Sequence, residues 1–191
     1  MNLDQRSKFL KQQADQILEE SKIVEILSRL GEVNFVGSYQ LDLMYRPDID
    51  IAVISELRVK EKVTEVVNKF IESGYFQTVG LADCFNFNRG PKKGFYIELV
   101  VPKSDQDWKF DIWYSTKEED DSIEPTNVYN KLLDNKPEAR AIILKLKDDL
   151  AEGVKYIEGV NGNRIYKCVL KYGIEDKNQL IKFIKENPDK F

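Results

Sequence analysis

The chain has 191 residues, with 29 Lys and Arg against 33 Asp and Glu, a formal net charge of −4 and no histidine. An apolar content of 42% reads as one soluble globular domain, or one with a small appendage. The missing histidine excludes Ser-His-Asp and Cys-His nucleophile systems and histidine metal sites, and the acidic balance excludes the overall basic footprint of a dedicated nucleic-acid binder.

Residues 3–30 read as helix with a break near Glu20–Ser21. Phe9, Leu10, Ala14, Ile17 and Leu18 recur at helical spacing, then Ile23, Ile26, Leu27 and Leu30, with Gly31 as the stop. Val33–Val36 reads as a strand, Gly37-Ser38 as a turn, Tyr39–Met44 as a short helix, and Ile49–Ile54 as a second strand that carries Asp48 and Asp50. Pro47 suits the start of that strand, where no ladder donor is needed. Residues 56–73 form the next helix, with Val59, Val63, Val66, Val67, Phe70 and Ile71 as its stripe and Gly74 as its end. Residues 75–88 read as a strand bulged near Gly80, and Arg89–Gly94 as a turn. Phe95–Val101 and Trp108–Tyr114 are further strands, the latter the last, and short polar turns between them argue antiparallel hairpins. Residues 115–125 form an acidic loop, read as a solvated linker. Helices follow at about 126–134, 137–151, 162–172 and 176–187. Tyr129, Tyr156, Tyr166 and Tyr172 in this part read as core rather than as a substrate platform.

Three features of residues 33–54 carry chemistry. A Gly-Ser turn after a buried strand lets backbone N–H groups approach an anion, and a helix opening there adds its positive end. In Asp48-Ile49-Asp50 both carboxylates share one strand face. Two such acids are expensive unless a divalent cation joins them, and hard oxygen ligands suit Mg²⁺ held together with substrate phosphates. Arg46, just before the pair, reads either as a phosphate contact or as a solvated side chain.

Gly37-Ser38, nine residues, then Asp48-Ile49-Asp50-Ile51 resembles the signature of the nucleotidyltransferase superfamily, the fold shared with DNA polymerase beta. The resemblance spans Val33 to Tyr114. It implies an α+β fold with a mixed or antiparallel sheet and flanking helices, here followed by a C-terminal helical region. Residues 1–118 would be the catalytic domain and 119–191 the helical part. It implies transfer of a nucleoside monophosphate from an NTP to an acceptor. Asp48 and Asp50 would bind Mg²⁺ or Mn²⁺, Asp111 would complete the metal site, and Gly37 and Ser38 would hold the triphosphate.

Two acids compete for the third position. Asp111 lies mid-strand in Trp108–Trp113, and Glu98 lies mid-strand in Phe95–Val100; the superfamily pattern favours Asp111. If Ser104-Asp105 is the hairpin turn, Glu98 and Asp111 face each other on one side of the sheet. Like charges there repel and require a cation, a shared proton or a basic neighbour. Glu98 is thereby a candidate general base for an acceptor hydroxyl.

The resemblance allows a small molecule such as an antibiotic, a nucleic-acid end or a protein side chain as acceptor; a small cationic molecule is favoured, because a chain of this size and charge lacks the basic surface for a polymer. A second reading of another class is a non-catalytic nucleotide-binding or interaction module of the same fold, such as a toxin–antitoxin component. Cys84 and Cys168 sit among apolar residues without metal-ligand spacing, so reduced thiols in a cytoplasmic protein are expected. No N-terminal signal and no apolar run of about 18 residues is present, so no membrane span is expected.

Overall fold

The computed structural model describes residues 1–87, 93–104, 106–152 and 155–190. The expected turn at residues 89–92, Asn88 at the end of the expected third strand, and Asp105 of the hairpin turn lie outside the described residues.

Helix α1 (Leu3–Ser21) starts at Asn2, whose side chain accepts the Gln5 N–H while the Gln5 side chain accepts the Asn2 N–H. These reciprocal bonds satisfy two donors that a helix start leaves open. Lys22 adopts a left-handed conformation, φ 54°, and breaks the helix; α2 (Ile23–Leu27) resumes it at a new angle. The break falls just after the position read from the sequence. Gly31 proves to be more than a helix stop. A Cβ there would lie 2.1 Å from the Ile54 carbonyl oxygen, so the chain enters the sheet pressed against a neighbouring backbone.

The sheet holds β1 (Glu32–Val36), β2 (Asp48–Ser55), β3 (Thr78–Asp83), β4 (Phe95–Val101) and β5 (Trp108–Thr116) in the order β1-β2-β5-β4-β3. Among the described residues only the β2–β5 pairing is parallel. That pairing needs a long crossover, and α4 (Lys60–Ser73) lies within it. The β3–β4–β5 part is the expected run of antiparallel hairpins. Gly80 is not a bulge: β3 runs straight through it and pairs it with Glu98. The strand ends at Asp83, whose carboxylate accepts the Phe85 and Asn86 N–H groups and starts the short α5 (Cys84–Phe87). The β4–β5 ladder closes at Val101–Trp108, so the connection is longer than a two-residue turn, yet its register is the one expected, with Glu98 opposite Asp111.

Ile49, Ile51 and Val53 of β2 turn to one face, as do Ile97 and Leu99 of β4 and Phe110 and Ile112 of β5. They meet Leu10, Ala14 and Ile17 of α1, Ile23 and Leu27 of α2, and Val63, Val66 and Phe70 of α4. Burial of each such side chain contributes about 1.5–3 kcal/mol. Phe9 and Ile71, read as part of these stripes, lie at their edges and stay exposed.

A second core lies among α6 (Ile123–Asn135), α7 (Ala139–Asp149), α8 (Gly162–Tyr172) and α9 (Lys177–Glu186). Leu41 and Leu43, from the segment between the Gly-Ser turn and β2, are buried in it. Between α7 and α8 runs a small hairpin, β6 (Ala151–Glu152) and β7 (Lys155–Tyr156), so β5 is not the last strand. A 3₁₀ turn, Pro188–Lys190, follows α9. Among the described residues no helix is long and apolar enough to cross a membrane.

Gly31→Ala forces a Cβ into the Ile54 carbonyl and is expected to cost about 2–3 kcal/mol. Urea unfolding measures this; a loss under about 0.5 kcal/mol would show that the contact yields freely.

Candidate active site

The face of the sheet opposite the first core carries the even residues of β2 and β4 and the odd residues of β5. On it Asp50 pairs in register with Asp111, and Asp111 with Glu98. Asp48 stands one row along, opposite Lys109. This face and residues of α6 to α8 line an open cleft of about 440 Å³. Gly37, Ser38, Arg46, Asp48, Asp50 and Asp111 all border it, together with Trp113, Asp121, Thr126, Lys147, Tyr156 and Tyr166. Glu98 does not border it.

Gly37 begins α3 (Gly37–Gln40), a single turn, so the expected longer helix and its positive end are not there. What the turn offers is close approach. Gly37 has φ +63°, and a Cβ on it would lie 2.8 Å from Asp50 Oδ2. Any larger residue would be strained and would push the carboxylate away. The Gly37 N–H donates to Thr126 Oγ1 at 3.3 Å, which ties the turn to the start of α6.

The segment after the turn is held by its carbonyl oxygens. Lys11 Nζ donates to Tyr39 O at 2.8 Å, Ser7 Oγ to Asp42 O at 3.1 Å, the Arg140 guanidinium to Leu41 O at 2.7 Å, and Lys147 Nζ to Leu43 O at 2.6 Å. These donors come from α1 and α7. They stand in for the ladder partners that an irregular buried segment lacks.

Lys147 was not foreseen as a site residue. It is 2% exposed and bonded to Leu43 O and, at 2.7 Å, to the Tyr166 hydroxyl. Burial pushes its ammonium down to about 8, against the pull of the Asp48 and Asp50 charges and with a small push from Arg46. A lysine in the buried stripe of an amphipathic helix was the available signal: Ala139, Ile143, Leu146, Lys147 and Leu150 share one face of α7. The Arg46 guanidinium lies 4.3 Å from the centre of the Tyr156 ring, on the cavity wall. Burial raises the Asp48 carboxyl; Lys147 lowers it, Asp111 raises it and Arg46 lowers it.

Asp111 is engaged on its far side. Lys109 Nζ lies 2.9 Å from Asp111 Oδ1 and 3.2 Å from Glu98 Oε2. The Tyr96 hydroxyl donates to Asp111 and lies 3.2 Å from Glu98. A metal ion was expected on Asp48, Asp50 and Asp111. Their donor chemistry fits Mg²⁺, being hard oxygens in adjoining places on one rigid face. Among the described residues, however, no three acidic or thiol side chains are grouped tightly enough to hold a metal as they stand.

The acidic loop is not a plain solvated linker. Glu119 pairs with Arg58 at 3.2 Å and accepts from Thr116, Asp120 accepts the N–H groups of Ser122 and Ile123 at the start of α6, and Asp121 reaches the cavity wall. Of the four tyrosines read as core, Tyr129 and Tyr166 are buried but also border the cavity, Tyr156 borders it, and Tyr172 is largely exposed.

Because burial raises the Asp48 carboxyl, the native state holds its proton more tightly than the unfolded chain. That contribution is full below the ordinary carboxylate range and is lost as pH rises through the raised native value. Asp48→Asn never ionises, so at pH 7 it should be more stable than the parent, and the difference should shrink as pH falls into the ordinary carboxylate range. Urea unfolding at pH 7 and in that range checks the sign.

No family model matches the chain, and no curated protein matches it. Solved structures do. The chain is similar to the Cid1 poly(U) polymerase, solved with Mg and 3′-dATP bound, at 16% identity over 86% of this chain and 49% of that one, with a TM-score of 0.60. It is similar to the polymerase core of TRAMP, an RNA surveillance complex, at 19% identity over 84% of this chain and 49% of that one, with a TM-score of 0.55. It is also similar to the conserved protein GrpB from Enterococcus faecalis, at 22% identity over 84% of this chain and 93% of that one, with a TM-score of 0.51. The chain thus spans about half the length of the two polymerases. At these identities the likeness is one of fold, and it agrees with the mixed sheet and the Gly-Ser turn beside the Asp-x-Asp strand: the chain has the polymerase beta-like nucleotidyltransferase fold.

Proposed function

We propose that the chain transfers a nucleoside monophosphate from an NTP to an acceptor hydroxyl. The observation that carries this is the placement of Asp48, Asp50 and Asp111 on one sheet face, with Asp50 against the Gly37 turn and all three on one cavity wall. The polymerases of the same fold support it.

Asp48, Asp50 and Asp111 are the residues that would hold Mg²⁺ or Mn²⁺. Bound there, the ion would neutralise charge on the attacking and leaving oxygens of an in-line displacement. The turn at Gly37 and Ser38 bounds the phosphate side of the cavity. Arg46 and Lys147 give that side fixed positive charge, and Lys147 is anchored by two hydrogen bonds, so it needs no reorganisation when a polyphosphate arrives. In this reading residues 1–118 carry the acids and the Gly-Ser turn, and residues 119–191 add Lys147 to the phosphate side and face the acceptor.

For the acceptor, a small cationic molecule fits the net charge of −4 and the placing of Asp121 on the cavity wall. A second reading, an RNA 3′ end, is favoured by the poly(U) polymerase among the similar structures.

Thermal melting with each NTP, with Mg²⁺ or Mn²⁺ and with EDTA, tests the core of the proposal. Ligand at a hundred times its Kd is expected to add about 2.7 kcal/mol of stability. The gain should require the metal and vanish in Asp48→Asn, which remains folded. No gain with any NTP would sink the transferase reading and favour a non-catalytic module. Incubation with labelled NTP and either aminated small molecules or short RNA then separates the two acceptors.

A further inference from the structure

Asp50, Asp111 and Glu98 form a row across β2, β5 and β4, and their mutual repulsion is answered by Lys109. Lys109 lies two residues before Asp111 on the same strand, so the period of the strand puts both on the same face. Its ammonium has two seats, one on Asp111 and one on Glu98. The pair is part-open, with the Lys109 side chain 44% and the Glu98 side chain 36% exposed, so a shift from one seat to the other costs little. Asp111 is the more enclosed of the two acids, at 25%, and it alone borders the cavity. The Tyr96 hydroxyl has one proton to give and stands between the same two carboxylates.

The seat on Asp111 is the one that the proposed metal site also needs. An ammonium 2.9 Å from Asp111 Oδ1 would sit beside a dication on the same carboxylate, and two cations at such range repel strongly. We propose that Lys109 and a divalent cation are alternative partners of Asp111, and that Glu98 is the seat to which the ammonium retires when the metal binds. This rests on the transferase reading only in taking a divalent cation to bind beside Asp48 and Asp50. It gives Glu98 a positioning role in place of the general-base role expected from the hairpin. Lys109 is then a built-in stand-in cation: it keeps the acid row folded without metal and leaves Asp111 when metal arrives.

The test is a double-mutant cycle read by Mn²⁺ binding to the full chain, with free Mn²⁺ followed by electron paramagnetic resonance. Lys109→Met should bind Mn²⁺ about fivefold more tightly, the scale of a part-exposed ion pair. Glu98→Gln should bind it several-fold more weakly, because the ammonium has lost its second seat. In the Lys109→Met background the Glu98→Gln change should have no effect, since there is no ammonium left to receive. Plain long-range electrostatics would give Glu98→Gln the same effect in both backgrounds, and that additive result would overturn the proposal. So would a Lys109→Met variant that binds no more tightly than the parent. Lys109→Gln is carried in parallel, in case the methionine variant folds poorly. Binding that is lost in Asp48→Asn but additive in the cycle overturns the exchange alone. No Mn²⁺ binding by any form overturns the exchange and the transferase reading together.

Discussion

Carboxylates in adjoining places on one sheet face repel one another, and the cations around them are placed in answer. Asp50 and Asp111 face each other across the parallel pairing of β2 and β5, and Glu98 extends the row. The ladder fixes the backbone positions of these acids, so their carboxylates stay near one another unless the side chains rotate away. Lys147 approaches from beneath, out of the helical core, and Lys109 lies along the face itself. The two answers differ in kind. Lys147 is buried and tied to a carbonyl and a hydroxyl, whereas Lys109 is part-exposed and its ammonium lies against the Asp111 and Glu98 carboxylates.

The same need for fixed geometry explains the segment between Gly37 and β2. It is irregular and partly buried, so its carbonyl oxygens require donors. Lys11, Ser7, Arg140 and Lys147 supply them, from the N-terminal helix on one side and α7 on the other. Leu41 and Leu43 sink into the second core between those ties. The turn that meets Asp50 is therefore held by both halves of the molecule, and Thr126 adds a direct bond from α6. Helices far from the acids in sequence thus decide where the Gly37 turn sits.

Much of this was legible in the sequence, for identifiable reasons. Strand period put Asp48 and Asp50 on one face, and the resemblance to the nucleotidyltransferase signature, with its apolar strand setting, singled out Asp111. The facing of Glu98 and Asp111 followed from symmetry about Ser104-Asp105, although the ladder stops well short of that point. What failed was whatever depended on long-range partners. The acids at 119–121 looked solvated because Arg58, Thr116 and the cavity are brought to them only by the fold. The contact of Glu98 with Lys109 went unread, though the same period that put Asp111 on its face also put Lys109 there. Lys147 was passed over because a polar residue in a helical stripe is easily counted as the boundary of the stripe. The hairpin of β6 and β7 has two residues in each strand, too short for any alternation to show.

The division between fixed and movable cations bears on what the site can accept. A triphosphate brings several negative charges into a cavity already walled by Asp48, Asp50, Asp111 and Asp121. Arg46 and Lys147 leave the formal charge of that wall negative, so on the proposed reading a bound triphosphate would need further positive charge. Lys109 cannot supply it from where it stands, because it lies on the Glu98 side of Asp111 and does not border the cavity. Under the proposed transferase reading the balance would come from a divalent metal ion, the partner that hard oxygen ligands suit. On that reading a metal ion bound beside Asp48 and Asp50 would favour nucleotide entry, and without it the acid row is answered by the protein's own lysines.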